Sequence, residues 1–224
     1  MTFLRKQFEN SPAIVRLVPF GIFLVLTSCQ SLEFIDQAAP YWFYLIKTLV
    51  GAWLIWEMRP FVTEMRWAIS WEAIVVGIAM CAIWICIDDF YPKMSKAGDP
   101  ANPHLVFGLN SGAAWFFVAV HLVGSTFVVP PLEEVFYRSL VYRYLIKEDF
   151  LSVPLQRFHP LSFVITAVIF GLVHYQWLAG ILCGLAFQWL VIRKNRLGDA
   201  ITAHAITNFL LGLWIIWKGD WKFW

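Results

Sequence analysis

Apolar residues run along this chain in long stretches, broken by short clusters of charge, proline and glycine. A bilayer span needs about 20 mostly apolar residues. Seven stretches meet that pattern, approximately 13–29, 38–56, 71–88, 105–129, 160–177, 178–193 and 199–217. An eighth segment, 132–147, has helical character but carries acids. The sizeable polar connection is 88–104, whose prolines and glycine mark a loop. No repeat of solenoid length and no low-complexity tract interrupts the pattern. The expected fold is all-α: a polytopic membrane bundle of seven to eight transmembrane or membrane-inserted helices around a polar cavity. We expect one integral membrane domain over 1–224, with its core motifs in 125–212.

Composition agrees with the pattern. The chain is 60% hydrophobic and 14% charged, against about 45–50% and about 25% in soluble domains. A net charge of +2 without a long basic run gives no reason to expect a nucleic-acid partner. Cys29, Cys81, Cys86 and Cys183 lie in or beside apolar segments without metal-type spacing, and read as small hydrophobes. Residues 1–29 start with Arg5 and Lys6 and end in LTSC, which resembles a lipoprotein cleavage site. The long polar lead-in and Arg16 favour a first spanning helix instead. Tyr41, Trp42, Trp56, Trp67, Trp71, Trp217 and Trp221, near segment ends, fit interfacial anchors. Arg16 and Lys47 are expected to snorkel to helix ends.

Charge sets an orientation. With a cytoplasmic N-terminus, and with 132–147 not crossing fully, ten basic residues fall inside: Arg5, Lys6, Arg59, Arg66, Arg143, Lys147, Arg157, Arg193, Lys194 and Arg196. Lys93, Lys96, Lys218 and Lys222 then fall outside, the bias of the positive-inside rule. The motif helix is therefore expected to insert from the cytoplasmic side.

Burying an ionisable side chain at the bilayer centre costs roughly 2.5–3.5 kcal/mol, so the polar residues of the second half stand out. Pro130-Pro131 should end one helix and start the next. Glu133 and Glu134 follow in the opening turn, where the helix dipole favours negative charge. Residues four apart share a helix face, so Glu134 sits under Arg138 and Glu133 under Tyr137. Glu134 would then be held by Arg138, leaving Glu133 to polarise a water as general base. Taken alone, the acids and arginine could equally form an interfacial ion-pair cap. FGLVH places His174 one turn after Phe170, and HAITN places His204 and Asn208 on one face. Each alone is as readily a packing or helix-gluing group. Together they supply a water activator, an imidazole, and an imidazole–amide pair for an oxyanion, the parts of an amide hydrolase. His121 in a span, with His104 and His159 in loops, are assigned to packing or surface.

The order EExxxR, FxxxH, HxxxN, carried by Glu133, Glu134, Arg138, Phe170, His174, His204 and Asn208, resembles the CAAX prenyl protease and bacteriocin-processing (type II CAAX, or Abi) family of intramembrane proteases. The resemblance covers roughly residues 125–212, and PPLEEVFYRSLVYRYLI looks like the exosortase-associated CAAX prenyl protease-related subgroup. It implies an intramembrane endopeptidase in which Glu133 and His174 activate water, His204 and Asn208 stabilise the oxyanion, and Glu134 and Arg138 support them. The partners it implies are the bilayer and a membrane-associated or lipidated protein or peptide substrate. The expected location is a bacterial cytoplasmic membrane, with the active site opening to the cytoplasmic side. The sequence lacks the HExxH zinc signature. Glu133, His174 and His204 could still ligate a divalent metal such as zinc, so metal-free and metal-assisted hydrolysis both stay open. Two other functions fit some of these features: an inactive family-like membrane protein, such as a bacteriocin-immunity factor or scaffold, and a proton-coupled transporter. The complete set of groups argues against the first, and the lack of acids and bases spread along several spans against the second.

Overall fold

The apolar runs are helical in the computed structural model, which describes residues 3–30, 36–94, 102–109 and 111–224. Lys96 and the middle of the 88–104 loop lie outside the described residues. A short α1 (Phe3–Asn10) precedes α2 (Ile14–Gln30), α3 (Ala39–Met58) and α4 (Trp71–Cys86). A five-residue α5 (Pro103–Phe107) leads into α6 (Gly112–Tyr144), then α7 (Pro160–Leu172), α8 (Trp177–Lys194) and α9 (Gly198–Lys218). No strand occurs among the described residues. Helices α6, α8 and α9 are long and apolar enough to cross a membrane, and α2, α4 and α7 are shorter apolar helices.

The segments expected at 105–129 and 132–147 form one helix, and Pro130-Pro131 do not break it. The reason is local. A π turn over Gly124–Val128 comes directly before them, with Val129 N–H bonding back five residues to Gly124 O. This wider turn relieves the clash of a proline ring with the carbonyl four residues back. A second π turn covers Val135–Val141, closed by Tyr142 N–H on Tyr137 O. Glu133 and Glu134 sit in the α-helical stretch between the two turns.

Polar contacts define two ends. At one, Arg16 of α2 pairs with Glu64 of the α3–α4 connector at 2.6 Å. Arg16 Nε also donates to Ser139 Oγ of α6 at 2.7 Å, and Arg143 reaches Glu64 at 3.0 Å. Lys194 of α8 pairs with Glu72 of α4 at 2.9 Å, and Ser70 bonds Asp199 at the start of α9. Asn195, in the left-handed region at φ 51°, turns α8 into α9 there. At the other end, Trp177 Nε1 donates to Pro92 O at 2.8 Å, and Lys222, just after α9, pairs with Asp88 at 3.0 Å.

Neither Arg16 nor Lys47 snorkels. Both are buried, because each has a partner that spacing alone could not reveal: Glu64 for Arg16, and the Gln30 side-chain oxygen, 2.9 Å away, for Lys47. Tyr41 is likewise no interfacial anchor but packs between Phe107 and Phe117. Trp42, Trp56, Trp67, Trp71 and Trp217 are exposed.

Small residues bring the second-half helices close. A Cβ on Gly184 of α8 would lie 2.9 Å from Ala167 Cα of α7. One on Gly77 of α4 would lie 2.7 Å from the Ala203 carbonyl of α9. Such contacts replace the hydrophobic driving force that is missing between helices in lipid.

Candidate active site

Three helices and one turn bring the predicted residues together. Glu134 of α6 is fully buried and forms two contacts. Its Oε2 lies 3.1 Å from Arg138 Nε, one turn on, also fully buried. Its Oε1 accepts from His204 Nδ1 of α9 at 2.9 Å. The Glu134–Arg138 pair is the one expected from i,i+4 spacing. The His204 contact was not anticipated, since it joins residues 70 positions apart. With Glu134 ionised, the proton sits on His204 Nδ1, and Nε2 is the nitrogen left for chemistry.

Glu133 points elsewhere. Its Oε2 is buried with no hydrogen-bond partner among the described residues, and lies 4.0 Å from His204 Nε2. That gap is too long for a direct hydrogen bond and suits a bridging water.

His174 lies in the turn after α7, two residues beyond the last helical position, Leu172. Its Nδ1 bonds the Phe170 carbonyl at 2.7 Å, which directs Nε2 away from its own helix. Phe170 supports several members of the site. Arg138 stacks on its ring at 4.3 Å, and Tyr137, His174 and His204 all make ring contacts with it. Phe187 of α8 stacks on His204 from another side, with centroids 5.1 Å apart.

Asn208 makes a contact that its spacing from His204 did not predict. Its Nδ2 donates to the Ser125 carbonyl at 2.8 Å. That carbonyl lies in the first π turn, where its i+5 partner would be Pro130, which has no N–H. Val129 N–H is already spent on Gly124 O. Asn208 therefore satisfies an acceptor that the proline orphans, and one N–H of its amide remains for other use.

These groups border a cavity of about 310 Å³, at the lower end of the usual ligand-site range. His174, His204 and Asn208 line it, together with Trp84, Phe170 and Phe187. Glu133 does not line it; its carboxylate stands next to His204. Trp84 and His121 are among the wall residues that sequence reasoning did not single out. Trp84 presents an indole N–H with no partner among the described residues. His121, expected only as packing, is stacked between Tyr44 and Trp224, and borders both this cavity and a second one of about 260 Å³ beside Lys47. His159 caps α7 through its ring nitrogen, and His104 packs on Trp115 and Trp221.

The cavity's mouth is at the end of the bundle away from Arg16, Glu64 and Arg143. It is bordered by Val173 to Gln176 of the α7–α8 turn and by Phe223 and Trp224 after α9. A metal held by Glu133, His174 and His204 would need all three to converge. Among the described residues no three His, Cys, Asp or Glu side chains group in that way. The donor set as arranged does not fit a resident metal.

No curated protein and no solved structure matches the chain. Residues 113–210, which contain all three motifs, match the family model described as type II CAAX prenyl endopeptidase, Rce1-like.

Proposed function

We propose that the chain is an intramembrane endopeptidase that hydrolyses a peptide bond of a membrane-associated substrate, with Glu133 as the base that activates water. The reading takes α2, α3, α4, α6, α7, α8 and α9 as seven crossings around the polar cavity. Support comes from the match of residues 113–210 to a CAAX endopeptidase family. The observation that carries the mechanism is the unpartnered Glu133 carboxylate oxygen, 4.0 Å from His204 Nε2.

A water between Glu133 and His204, with His174 Nε2 directed toward the cavity, gives up a proton to Glu133 as its oxygen attacks the scissile carbonyl carbon. The carbonyl π electrons move onto oxygen, where His204 Nε2–H and the spare amide N–H of Asn208 receive the negative charge. In this step His204 carries a proton on each ring nitrogen, Nδ1–H toward Glu134 and Nε2–H toward the oxyanion. The oxyanion then collapses, the C–N bond breaks, and Glu133 returns its proton to the leaving amine. Glu134 and Arg138 never touch substrate; they position His204. Tyr137 and Phe170 hold that pair in place.

The test is Glu133→Gln in purified, reconstituted protein offered a membrane-anchored substrate. The amide cannot take a proton, so cleavage should vanish while thermal unfolding stays near that of the native protein, because Glu133 has no ion pair under 4.0 Å to lose. Cleavage at the native rate would overturn the assignment.

A further inference from the structure

The centre lies closer, by count, to the end from which it is closed. His204 is six residues from Gly198 at the start of α9 and fourteen from Lys218 at its end, about 9 Å and about 21 Å along the axis. The short route is blocked. The α3–α4 connector lies across it, where a Cβ on Gly198 would collide with the Arg66 backbone. Thr202 donates to Ala68 O at 2.9 Å, and Arg16, Glu64, Ser139 and Arg143 knit α2, the connector and α6 together. A hollow of about 650 Å³ at this end reaches Pro131 but is lined by none of the motif's polar side chains. The long route is open, through the cavity that runs from His204 past Asn208 and Ile215 to Val173 and Gln176.

The closed end is also the basic end. Arg59, Arg66, Lys147, Arg157, Lys194 and Arg196 belong to it or to its connections, whereas the described lysines toward the open end are Lys93, Lys218, Lys222 and the buried Lys47 beside Gln30. Lysine and arginine bias of this kind marks the cytoplasmic side. The open end carries Asp88 and Asp89, and Lys93 and Lys222 are both paired to Asp88.

From these two facts we infer that the centre is reached from the non-cytoplasmic face, and that its substrate is an extended, exported segment of a membrane-anchored polypeptide. A cytoplasmic C-terminal tail would meet the closed end. This reverses the cytoplasmic opening expected from the motif helix, and it rests on the protease reading. The walls fit that occupant: Trp84, Phe170, Phe187 and Ile215 offer apolar contact, and the unpartnered Trp84 N–H can donate to a backbone carbonyl.

The experiment uses full-length protein in intact cells, with Cys29, Cys81, Cys86 and Cys183 replaced and one new cysteine at a time. Val173→Cys stands at the mouth and Lys147→Cys at the opposite end. A membrane-impermeant maleimide should label Val173→Cys in intact cells and Lys147→Cys only after lysis. The bulky adduct at position 173 should then stop cleavage. The opposite labelling pattern would overturn the inference, as would cleavage undiminished by a complete adduct at 173. Failure of the protease reading is seen separately. Unimpaired cleavage by Glu133→Gln removes the proposed chemistry, whereas labelling reports the open face whether or not the protein cleaves anything.

Discussion

Replacing Asn208 by alanine tests the hydrogen bond that ties α9 to the π turn of α6. The Ser125 carbonyl loses its partner because Pro130 has no N–H to offer and Val129 N–H is committed to Gly124. A buried acceptor left unpaired costs about 1–3 kcal/mol, while hydrogen bonds between membrane helices average about 0.6 and reach about 1.7. Ser125 is half-buried and lines the cavity, so water can partly serve it, which places the expected loss near about 1 kcal/mol. Pro130→Ala supplies the missing donor, since residue 130 is five positions from Ser125, the spacing Val129 already uses with Gly124. Asn208→Ala should therefore be destabilising in the native background and nearly neutral beside Pro130→Ala, a coupling of about 1 kcal/mol. Reversible unfolding of the four proteins in one detergent measures it. Cleavage should behave differently: losing the oxyanion amide costs about 10²–10³ in rate in soluble enzymes, and Pro130→Ala should not restore it. An equal stability loss in both backgrounds would refute the account of the orphaned carbonyl. Recovery of the rate in the double variant would show that Asn208 acts only by holding α6.

Glu134→Gln leaves Arg138 buried without its counter-charge, and breaking a buried pair costs about 3–5 kcal/mol. Both the thermal midpoint and the cleavage rate should fall; lost turnover with unchanged stability would mean that the two acids have exchanged roles. Glu64 offers a pH test outside the spans. Burial pushes its carboxyl up, but the Arg16 charge and the hydrogen bonds from Arg16 and Ser139 outweigh that and hold it below the usual carboxylate range. A depressed carboxyl stabilises fully above its unfolded value of about 4.3, and that contribution is lost as pH falls through the lower folded value. The midpoint difference between native protein and Glu64→Gln should therefore shrink as acid is added below about pH 4.3, and a difference constant through that range would contradict the ion-pair account.

What the sequence could reveal was local. Glu134 over Arg138 follows from helical spacing, and the structure contains that contact. The apolar runs located α2, α3, α4, α7, α8 and α9 but divided α6 into two segments; the bilayer's demand for internally satisfied backbone leaves few alternatives to helix. The contacts that hold the site together are long-range: Glu134 with His204, Asn208 with Ser125, and Arg16 with Glu64 and Ser139. No periodicity encodes them. The prolines misled for a related reason. Whether Pro-Pro ends a helix depends on the hydrogen-bond register ahead of it, and the π turn at Gly124–Val128 changes that register. The open face depended on where the connector before α4 packs, which a list of spans does not contain.

The two π turns give α6 a property a plain helix would lack. Each turn shifts the winding phase of everything beyond it, and the glutamates lie between them. Their facing is thus set separately from the Gly112 end and from the Tyr144 end. Removing one residue from the second turn, which precedes no proline, would rotate the acids by about 100° relative to the helix beyond it, with little change in length or hydrophobicity. Such a deletion would pass every test of membrane insertion and still aim Glu133 into lipid or protein rather than at His204. In this helix the count of residues within the turns is as much a part of the centre as the acids themselves.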